Sequence, residues 1–231
     1  YNKLCFAILT NTVVYGKNVG IVHYTIGGGF SNTGYKNPSF AQNNNGTGSE
    51  MWSNPANALT DNNSYATMSN AALLIGGTVR NSNYLYVRDL GLEVPANAQI
   101  KGIEIEIRKA SSDNSGSNYT RDQEIRLLKD GIVVGTNHGN IGVNWPITET
   151  AFTYGTNADT WGTTLTPDEV NSPDFGAAIA ITSRAAGLLL PTVISYIDQV
   201  RIRVYYQVDA ETKVTYSVVQ GGFTGLNNLN A

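Results

Sequence analysis

Apolar and polar residues alternate along much of the chain, with the period of two that a β-strand with one buried face requires. In the stretch GIEIEIRK, residues 102–109, Ile103, Ile105 and Ile107 fall on one face, whereas Glu104, Glu106 and Arg108 fall on the other. The stretch QVRIRVYYQV, residues 199–208, repeats the pattern. The alternation predicts two half-buried strands, each with one face toward solvent.

Three further segments predict strands of different kinds. The stretch EIRLLKDGIVVG, residues 124–135, predicts a hairpin that turns at Asp130–Gly131, because this dipeptide tolerates the positive φ angles of tight hairpin turns. The stretch FGAAIAIT, residues 175–182, is apolar on both faces and predicts a strand buried on both sides. The stretch YLYVRDLGLEVP, residues 84–95, predicts one strand or two.

Helix is predicted in only one place, the stretch TPDEVN at residues 166–171. Thr166 can cap the helix, Pro167 suits its first position, and the acidic residues Asp168 and Glu169 suit its first turn. Short strands separated by turn residues, with almost no helix, predict an all-β fold. We expect an antiparallel β-sandwich, jelly-roll-like, with extended N- and C-terminal arms.

The two ends of the chain differ from the middle. Residues 1–30 and 209–231 carry strand-like pieces beside glycine-rich joints, whereas residues 31–208 predict the sandwich body, with its core from about residue 50. An exposed apolar strand aggregates unless it pairs, and a second copy of the chain is one natural partner. The apolar residues predicted to mediate assembly are Phe6, Ile8, Val13, Val14, Val214, Tyr216 and Val218.

The composition narrows the classes of function. Charged residues make up 14% of the chain and the net charge is −3, so no basic patch is available for nucleic acid. No apolar run approaches the roughly 18 to 20 residues of a membrane span. The single cysteine, Cys5, excludes an internal disulfide framework. A polar surface with little charge is typical of extracellular, cell-surface or virion proteins. Tyr1 in place of a starting methionine fits a removed leader or a fragment.

No catalytic residues are predicted. The only histidines are His23 and His138, the latter expected in a solvated loop, and no motif places either beside a nucleophile. Glu104 and Glu106 share one strand face, so they cannot bracket a substrate as the carboxylates of a glycosidase do. A glycan-degrading enzyme is therefore the weakest of the hypotheses considered.

The same two glutamates suggest a structural role. Arg201 and Arg203 have the same spacing on their own strand. If the two strands pair, the four side chains form a ladder of opposite charges on the solvent-facing side of the sheet.

The stretch WSNPANALTDNNSYATM, residues 52–68, is the strongest candidate for a binding site. Asn57, Asp61 and Asn62 provide the oxygen ligands that Ca²⁺ accepts, so a structural calcium ion is the one cofactor that the sequence suggests. The alternative is a loop held by hydrogen bonds from its own Asn and Asp side chains, with Trp52 and Tyr65 covering the edge of the core.

This stretch, followed by YLYVRDLGLEVPANAQIKGIEIEI, resembles the early part of galactose-binding-like jelly-roll domains, in which an "NA..DGN" loop precedes a "DLG....IKGI" strand pair. The resemblance implies a loop that holds structural Ca²⁺ and neighbouring loops that bind sugars or lipid headgroups. The chain departs from the pattern at Asn62, where the family usually has glycine after the aspartate.

The longer run from Trp52 to Tyr206 resembles β-sandwich modules of bacteriophage virion proteins and large bacterial surface proteins. The resemblance implies a non-enzymatic structural subunit of an extracellular filament, surface layer or virion, which assembles with copies of itself through its arms. The alternative is a carbohydrate-binding or adhesion module that takes glycans as partners. The aromatic residues proposed to contact sugar are Trp52, Tyr65, Trp145 and Tyr154, with Trp161 assigned instead to the core.

Overall fold

A computed structural model describes residues 25–26, 29–74, 76–208 and 211–212. The chain divides into two units, residues 30–208 on the one hand and residues 1–29 with 209–231 on the other. In the second unit, β1 (Thr25–Ile26) pairs antiparallel with β13 (Glu211–Thr212) in a two-stranded sheet of its own. The predicted assembly residues lie outside the described residues, namely Phe6, Ile8, Val13, Val14, Val214, Tyr216 and Val218.

Strands make up nearly all of the regular secondary structure in the unit of residues 30–208. In chain order its elements are β2 (Phe30–Asn32), β3 (Phe40–Asn44), a 3-10 helix (Pro55–Ala58), β4 (Ala66–Ala71), β5 (Thr78–Asn81), β6 (Tyr84–Arg88), β7 (Ala98–Ser111), β8 (Tyr119–Lys129), β9 (Ile132–Val134), β10 (Thr150–Thr156), α1 (Pro167–Asn171), β11 (Gly176–Ala185) and β12 (Thr192–Val208). The sandwich thus includes β2 and β3, which precede residue 50.

The strands form two antiparallel sheets. The first sheet has the order β10-β7-β12-β2, and β4 pairs with another part of β12. The second sheet has the order β3-β6-β11-β8-β9, and β5 pairs with another part of β11. The two sheets enclose one large apolar core, so the predicted antiparallel β-sandwich is confirmed.

The core follows from the alternation in the sequence. Ile103, Ile105 and Ile107 of β7 are fully buried, as are the inward residues of β12 beside them. The strand predicted to be buried on both sides is β11. Its inner face packs in the main core, while Ala178 and Ala180 belong to a smaller cluster on the outer face.

Local predictions at turns and caps are also confirmed. The hairpin between β8 and β9 turns at Asp130 and Gly131, whose φ angles are 53° and 74°. Helix α1 begins with a capping box, in which the Thr166 hydroxyl accepts from the Glu169 backbone N–H and the Glu169 carboxylate accepts from the Thr166 backbone N–H. The segment 84–95 gives only one strand, β6.

The predicted ladder of opposite charges is confirmed. Arg201 lies opposite Glu106 and Arg203 lies opposite Glu104, with nitrogen–oxygen distances of 2.8 and 2.5 Å. Tyr35 covers both pairs, since its ring centre is 4.5 Å from the Arg201 guanidinium and 4.2 Å from that of Arg203. These charged side chains therefore have a structural role on the outer face of the first sheet.

Gly176 provides a test of the packing between strands. A Cβ atom added there would lie 1.9 Å from the Val87 carbonyl oxygen, which cannot move without disturbing β6. We expect Gly176→Ala to lower the free energy of unfolding by about 1–3 kcal/mol, measured by urea unfolding. Gly142 meets no atom within 4 Å, so Gly142→Ala is the matched control. Equal stabilities of the two variants would contradict the described approach of β6 and β11.

Candidate metal centre

The loop of residues 52–68 is held largely by its own polar side chains. The Asn57 side chain donates to the Tyr65 carbonyl at 3.2 Å. The Asn62 side chain accepts from the Ser64 backbone N–H at 2.9 Å and donates to the Thr60 hydroxyl at 3.1 Å. These contacts are those of an Asx-rich loop, the alternative that the sequence left open.

Only one of the three predicted calcium ligands reaches a cluster of carboxylates. Asp61, at the outer part of the loop, lies near Glu149, which immediately precedes β10, and Asp198 of β12. Each of these three residues offers one carboxylate oxygen, and the three oxygens lie within 4.8 Å of one another. The fold thus brings together carboxylates from three distant parts of the sequence.

A β-bulge places Asp198 in this cluster. Along β12 the pairing with β7 shifts between Ile197, opposite Lys109, and Gln199, opposite Arg108, so Asp198 has no cross-strand partner. Bulges redirect side chains in this way and are frequent beside functional sites. The carboxylate of Asp198 accepts from the backbone N–H of the loop at residue 62, at 3.3 Å.

Two buried oxygens of the cluster have no partner at hydrogen-bonding distance and angle among the described residues, although the Tyr65 hydroxyl lies beside the Glu149 carboxylate and Asp61 lies beside Asp198. Asp198 is fully buried, and its Oδ2 has no hydrogen-bond partner among the described residues. The Glu149 Oε2 atom is also buried and also has no hydrogen-bond partner among the described residues. Buried carboxylate oxygens normally have a partner, so an unsatisfied pair beside a third carboxylate suggests that a ligand belongs there.

Among the described residues, one cationic side chain contacts the cluster of three carboxylates. Arg108 contacts Asp61 at 3.3 Å and Glu149 at 2.8 Å, and one guanidinium cannot neutralise three carboxylates. Burial raises the pKa of Asp198; a contact with Asp61 and the charge of Glu149 raise it further, against hydrogen bonds from the loop backbone. The ionised cluster therefore has an excess of negative charge that a cation would offset.

The donor set fits a hard divalent cation. Calcium accepts six to eight oxygens in flexible geometry, including carboxylates that bind through one or both oxygens. Asp61, Glu149 and Asp198 would supply the carboxylate ligands. Asn57 and Asn62, the other two predicted ligands, use their side chains within the loop.

The aromatic residues proposed to contact sugar are mostly inside the protein. Trp52, Trp145 and Tyr154 are only 3%, 2% and 3% exposed. Tyr65 is half-buried, with its ring edge-on to Tyr196 at 5.2 Å. Three of the four rings thus present no open face on which a sugar could stack. The assignment of Trp161 to the core is confirmed, because its side chain is fully buried.

His138 differs from the solvated loop residue that the sequence suggested. Its ring is half-buried and lies 4.1 Å from the ring of Trp161, and its Nε2 is 3.4 Å from an Asp159 carboxylate oxygen. The ring thus closes over the core at Trp161. His23 lies outside the described residues.

A break in the burial pattern of β12 marks the position of Asp198, but the sequence alone does not show it because Ile194 and Tyr196 on the other face are also apolar. Inward residues of β12 follow the row Val193, Ser195, Ile197 and then resume at Val200, so the alternation shifts by one position. A break in alternation indicates a bulge, and the residue at the break is Asp198. Glu149 has no signal in the sequence either, because it lies in an irregular segment that only the tertiary fold brings to the loop.

Comparison of the chain with protein-family models and with curated proteins finds no match. The resemblance to galactose-binding-like domains therefore stays a prediction. The β-sandwich fold is identified from the two antiparallel sheets and the apolar core between them. Within the part of the chain that the structure describes, no helix has the length and apolar character to cross a membrane.

Proposed function

We propose that the chain is a non-enzymatic structural subunit of an extracellular filament, surface layer or virion. In this proposal the sandwich is a rigid body and the terminal segments join copies of the chain. The observation that carries it is the pairing of Thr25–Ile26 with Glu211–Thr212 in a sheet separate from both sandwich sheets. A strand from each end of the chain thus takes part in a short sheet whose outer edges can accept strands from another copy.

An exposed apolar surface on the sandwich also supports the proposal. Two loops at one end of the sandwich expose leucines, and the two loops are tied by a hydrogen bond from the Ala72 N–H to the Pro191 carbonyl at 3.0 Å. The exposed leucines are Leu73, Leu74, Leu188, Leu189 and Leu190, with exposures of 64%, 68%, 80%, 96% and 46%. Adjacent apolar side chains of this kind are typical of contact surfaces.

Calcium has a structural role in this proposal. A cation held by Asp61, Glu149 and Asp198 would tie the loop of residues 52–68 to β10 and β12 of the first sheet. The carbohydrate-binding alternative has less support, because Tyr65 is the only one of its four proposed rings that is not buried.

Light scattering and negative-stain electron microscopy of the full chain test the proposal. We expect particles much larger than the 24.8 kDa monomer. Charged substitutions in the predicted pairing strands, Ile8→Lys with Val218→Lys, should reduce them to monomers, since a buried lysine on an apolar strand face opposes pairing. Ile132→Lys is the matched control, because Ile132 is 66% exposed on the sandwich itself.

Two results would count against the proposal. Monomers at every concentration, with and without calcium, would remove self-assembly. Assembly that is unchanged by Ile8→Lys with Val218→Lys, or that is lost equally with Ile132→Lys, would remove the role assigned to the terminal strands.

A further inference from the structure

Lys109 occupies a position that the alternation of β7 reserves for core residues. It continues the inward row of Ile103, Ile105 and Ile107, and it is only 2% exposed. Lysine is almost never fully buried unless its charge is compensated. A buried lysine at this position therefore requires a specific partner for its amine.

The amine of Lys109 is enclosed by three aromatic rings. Its Nζ atom lies 4.6, 4.7 and 5.0 Å from the ring centres of Trp145, Phe152 and Tyr154. Burial lowers the pKa of the Lys109 amine, although the charge of Asp122 opposes this effect. The surroundings exclude water, and they favour an uncharged amine more than solvent does.

The partner of the amine is the carboxyl group of Asp122 on the opposite sheet. Lys109 Nζ lies 2.6 Å from Asp122 Oδ1, and the two side chains are 2% and 1% exposed. Asp122 Oδ1 also accepts from Trp145 Nε1 at 2.7 Å, and Oδ2 accepts from the Tyr154 hydroxyl at 2.7 Å and the Asn140 backbone N–H at 2.9 Å. The carboxyl group is therefore fixed in one orientation.

Tyr154 contacts both members of the pair. Lys109 Nζ donates to the Tyr154 hydroxyl oxygen, and the Tyr154 hydroxyl donates to Asp122 Oδ2. Burial and the adjacent carboxylate raise the pKa of Tyr154, so its hydroxyl keeps its proton. The three groups form a closed ring of hydrogen bonds through which protons can pass between the amine and the carboxyl group.

We propose that Lys109 and Asp122 react to form an intramolecular isopeptide bond that joins the two sheets of the sandwich. The 2.6 Å contact with Oδ1 holds the amine beside the carboxyl group whose carbon, Cγ, it would attack, and such fixed proximity favours a near-attack conformer. Fixed geometry of this kind accelerates a reaction that is very slow between free amines and acids in water.

The chemical step balances without a further reactant. Proton transfer from the ammonium group to the carboxylate gives an amine and a carboxylic acid. Burial alone would raise the pKa of Asp122, but the charge of Lys109 and hydrogen bonds from Lys109, Tyr154 and Asn140 lower it, so this transfer is an unfavourable first step that the fixed geometry of the pair must offset. The Nζ atom then attacks Cγ, one N–C bond forms, and one C–O bond breaks as an Asp122 oxygen leaves as water. Tyr154 donates its proton to the leaving oxygen and regains one from the nitrogen. No oxidation or reduction occurs.

A second lysine shows why proximity alone is insufficient. Lys129 Nζ lies 2.6 Å from the Glu169 carboxylate, the same distance as in the buried pair. The side chains of Lys129 and Glu169 are 27% and 25% exposed, however, so water stabilises their charged forms. Lys129 therefore provides a matched control for a reaction that needs exclusion of water.

Denaturing mass spectrometry of the purified full chain tests the proposal. We expect the mass to lie about 18 Da, one water molecule, below the mass calculated from the sequence. Trypsin should fail to cleave after Lys109, and fragment spectra should link Lys109 to Asp122. The Lys109→Met variant should have its full calculated mass, whereas Lys129→Met should keep the deficit. Tyr154→Phe should slow the reaction, leaving unreacted chain after purification.

Three results would overturn the proposal. The first is the full calculated mass in the folded chain. The second is a deficit that persists in Lys109→Met. The third is a deficit that the fragment spectra assign to Asp130–Gly131, because an aspartate before glycine can lose water by closing a ring with its own backbone. Circular dichroism of each variant shows whether it keeps the β-structure of the parent chain.

Discussion

Asp122→Ala is expected to lower the free energy of unfolding by about 3–5 kcal/mol, the usual cost of removing one partner of a buried ion pair. The substitution leaves the Lys109 amine among three aromatic rings without a carboxylate. It also removes the acceptor for Trp145, Tyr154 and the Asn140 backbone, each of which is then an unsatisfied donor. Urea unfolding monitored by circular dichroism gives the free energy.

Asp174→Ala is the matched control for this prediction. Asp174 also pairs with a cation, Arg88, but its side chain is 50% exposed. An exposed pair contributes about 0–1 kcal/mol, so the control variant should remain close to the parent chain. Equal losses in Asp122→Ala and Asp174→Ala would show that the cluster around Lys109 contributes no more than a surface ion pair.

The double variant Lys109→Met with Asp122→Leu separates two contributions. It removes the buried charge together with its partner, and such replacements are often close to neutral for a simple ion pair. Stability that returns in the double variant relative to Asp122→Ala measures the cost of the unpaired amine. Any loss of free energy of unfolding that remains in the double variant, relative to the parent chain, reflects two contributions. These are the covalent link proposed between the two residues and any change in packing.

Much of the fold could be predicted because its determinants are local. The alternation at residues 102–109 and 199–208 predicted strands β7 and β12 and their buried faces. The dipeptide Asp130–Gly131 predicted the hairpin turn between β8 and β9. The capping pattern at Thr166 predicted the short helix α1. In each case the side-chain pattern and the backbone geometry are set by neighbours in the sequence.

The contacts between distant segments that form the carboxylate cluster could not be predicted from the sequence. The ligand role of Asn57 and Asn62 stays a prediction; in the structure the Asn57 amide nitrogen and the Asn62 side-chain oxygen make hydrogen bonds within the loop. Glu149 and Asp198 join Asp61 only through the tertiary fold. Lys109 was more accessible to prediction: its position in the alternation of β7 already placed a charged side chain in the core.

Asp198→Asn is expected to abolish the stabilisation of the chain by calcium and to stabilise the calcium-free chain. At a calcium concentration 100 times the dissociation constant, the parent chain should gain about 2.7 kcal/mol, or about 5–10 °C in melting temperature. Asp198→Asn should abolish that gain because it removes the buried carboxylate ligand. Without calcium the variant should be more stable than the parent by about 1 kcal/mol, since its amide can donate to the unpartnered Glu149 Oε2.

The free energy of unfolding of the parent chain should depend on pH through the Asp198 carboxyl group. The pKa of Asp198 is raised in the folded state above its ordinary value of 3.8. The protonated carboxyl group therefore favours folding below pH 3.8, and this contribution is lost as the pH rises through the folded-state pKa. Asp61 and Glu149 face Asp198 with negative charge, against Arg108 with positive charge. Calcium binds the ionised form, so its stabilising effect should increase over the same rise in pH.

Differential scanning calorimetry at several pH values, with calcium or with a chelator, measures all of these effects. Asp130→Asn is the matched control: it removes one negative charge at an exposed hairpin turn and leaves the Asn-Gly sequence that suits the same turn. That variant should retain the full calcium response. A calcium response that is the same in Asp198→Asn and in the parent would show that the ion binds elsewhere. A parent chain that does not respond at any pH would leave the three carboxylates as a strained but metal-free cluster, stabilised only by Arg108 and by protonation of Asp198.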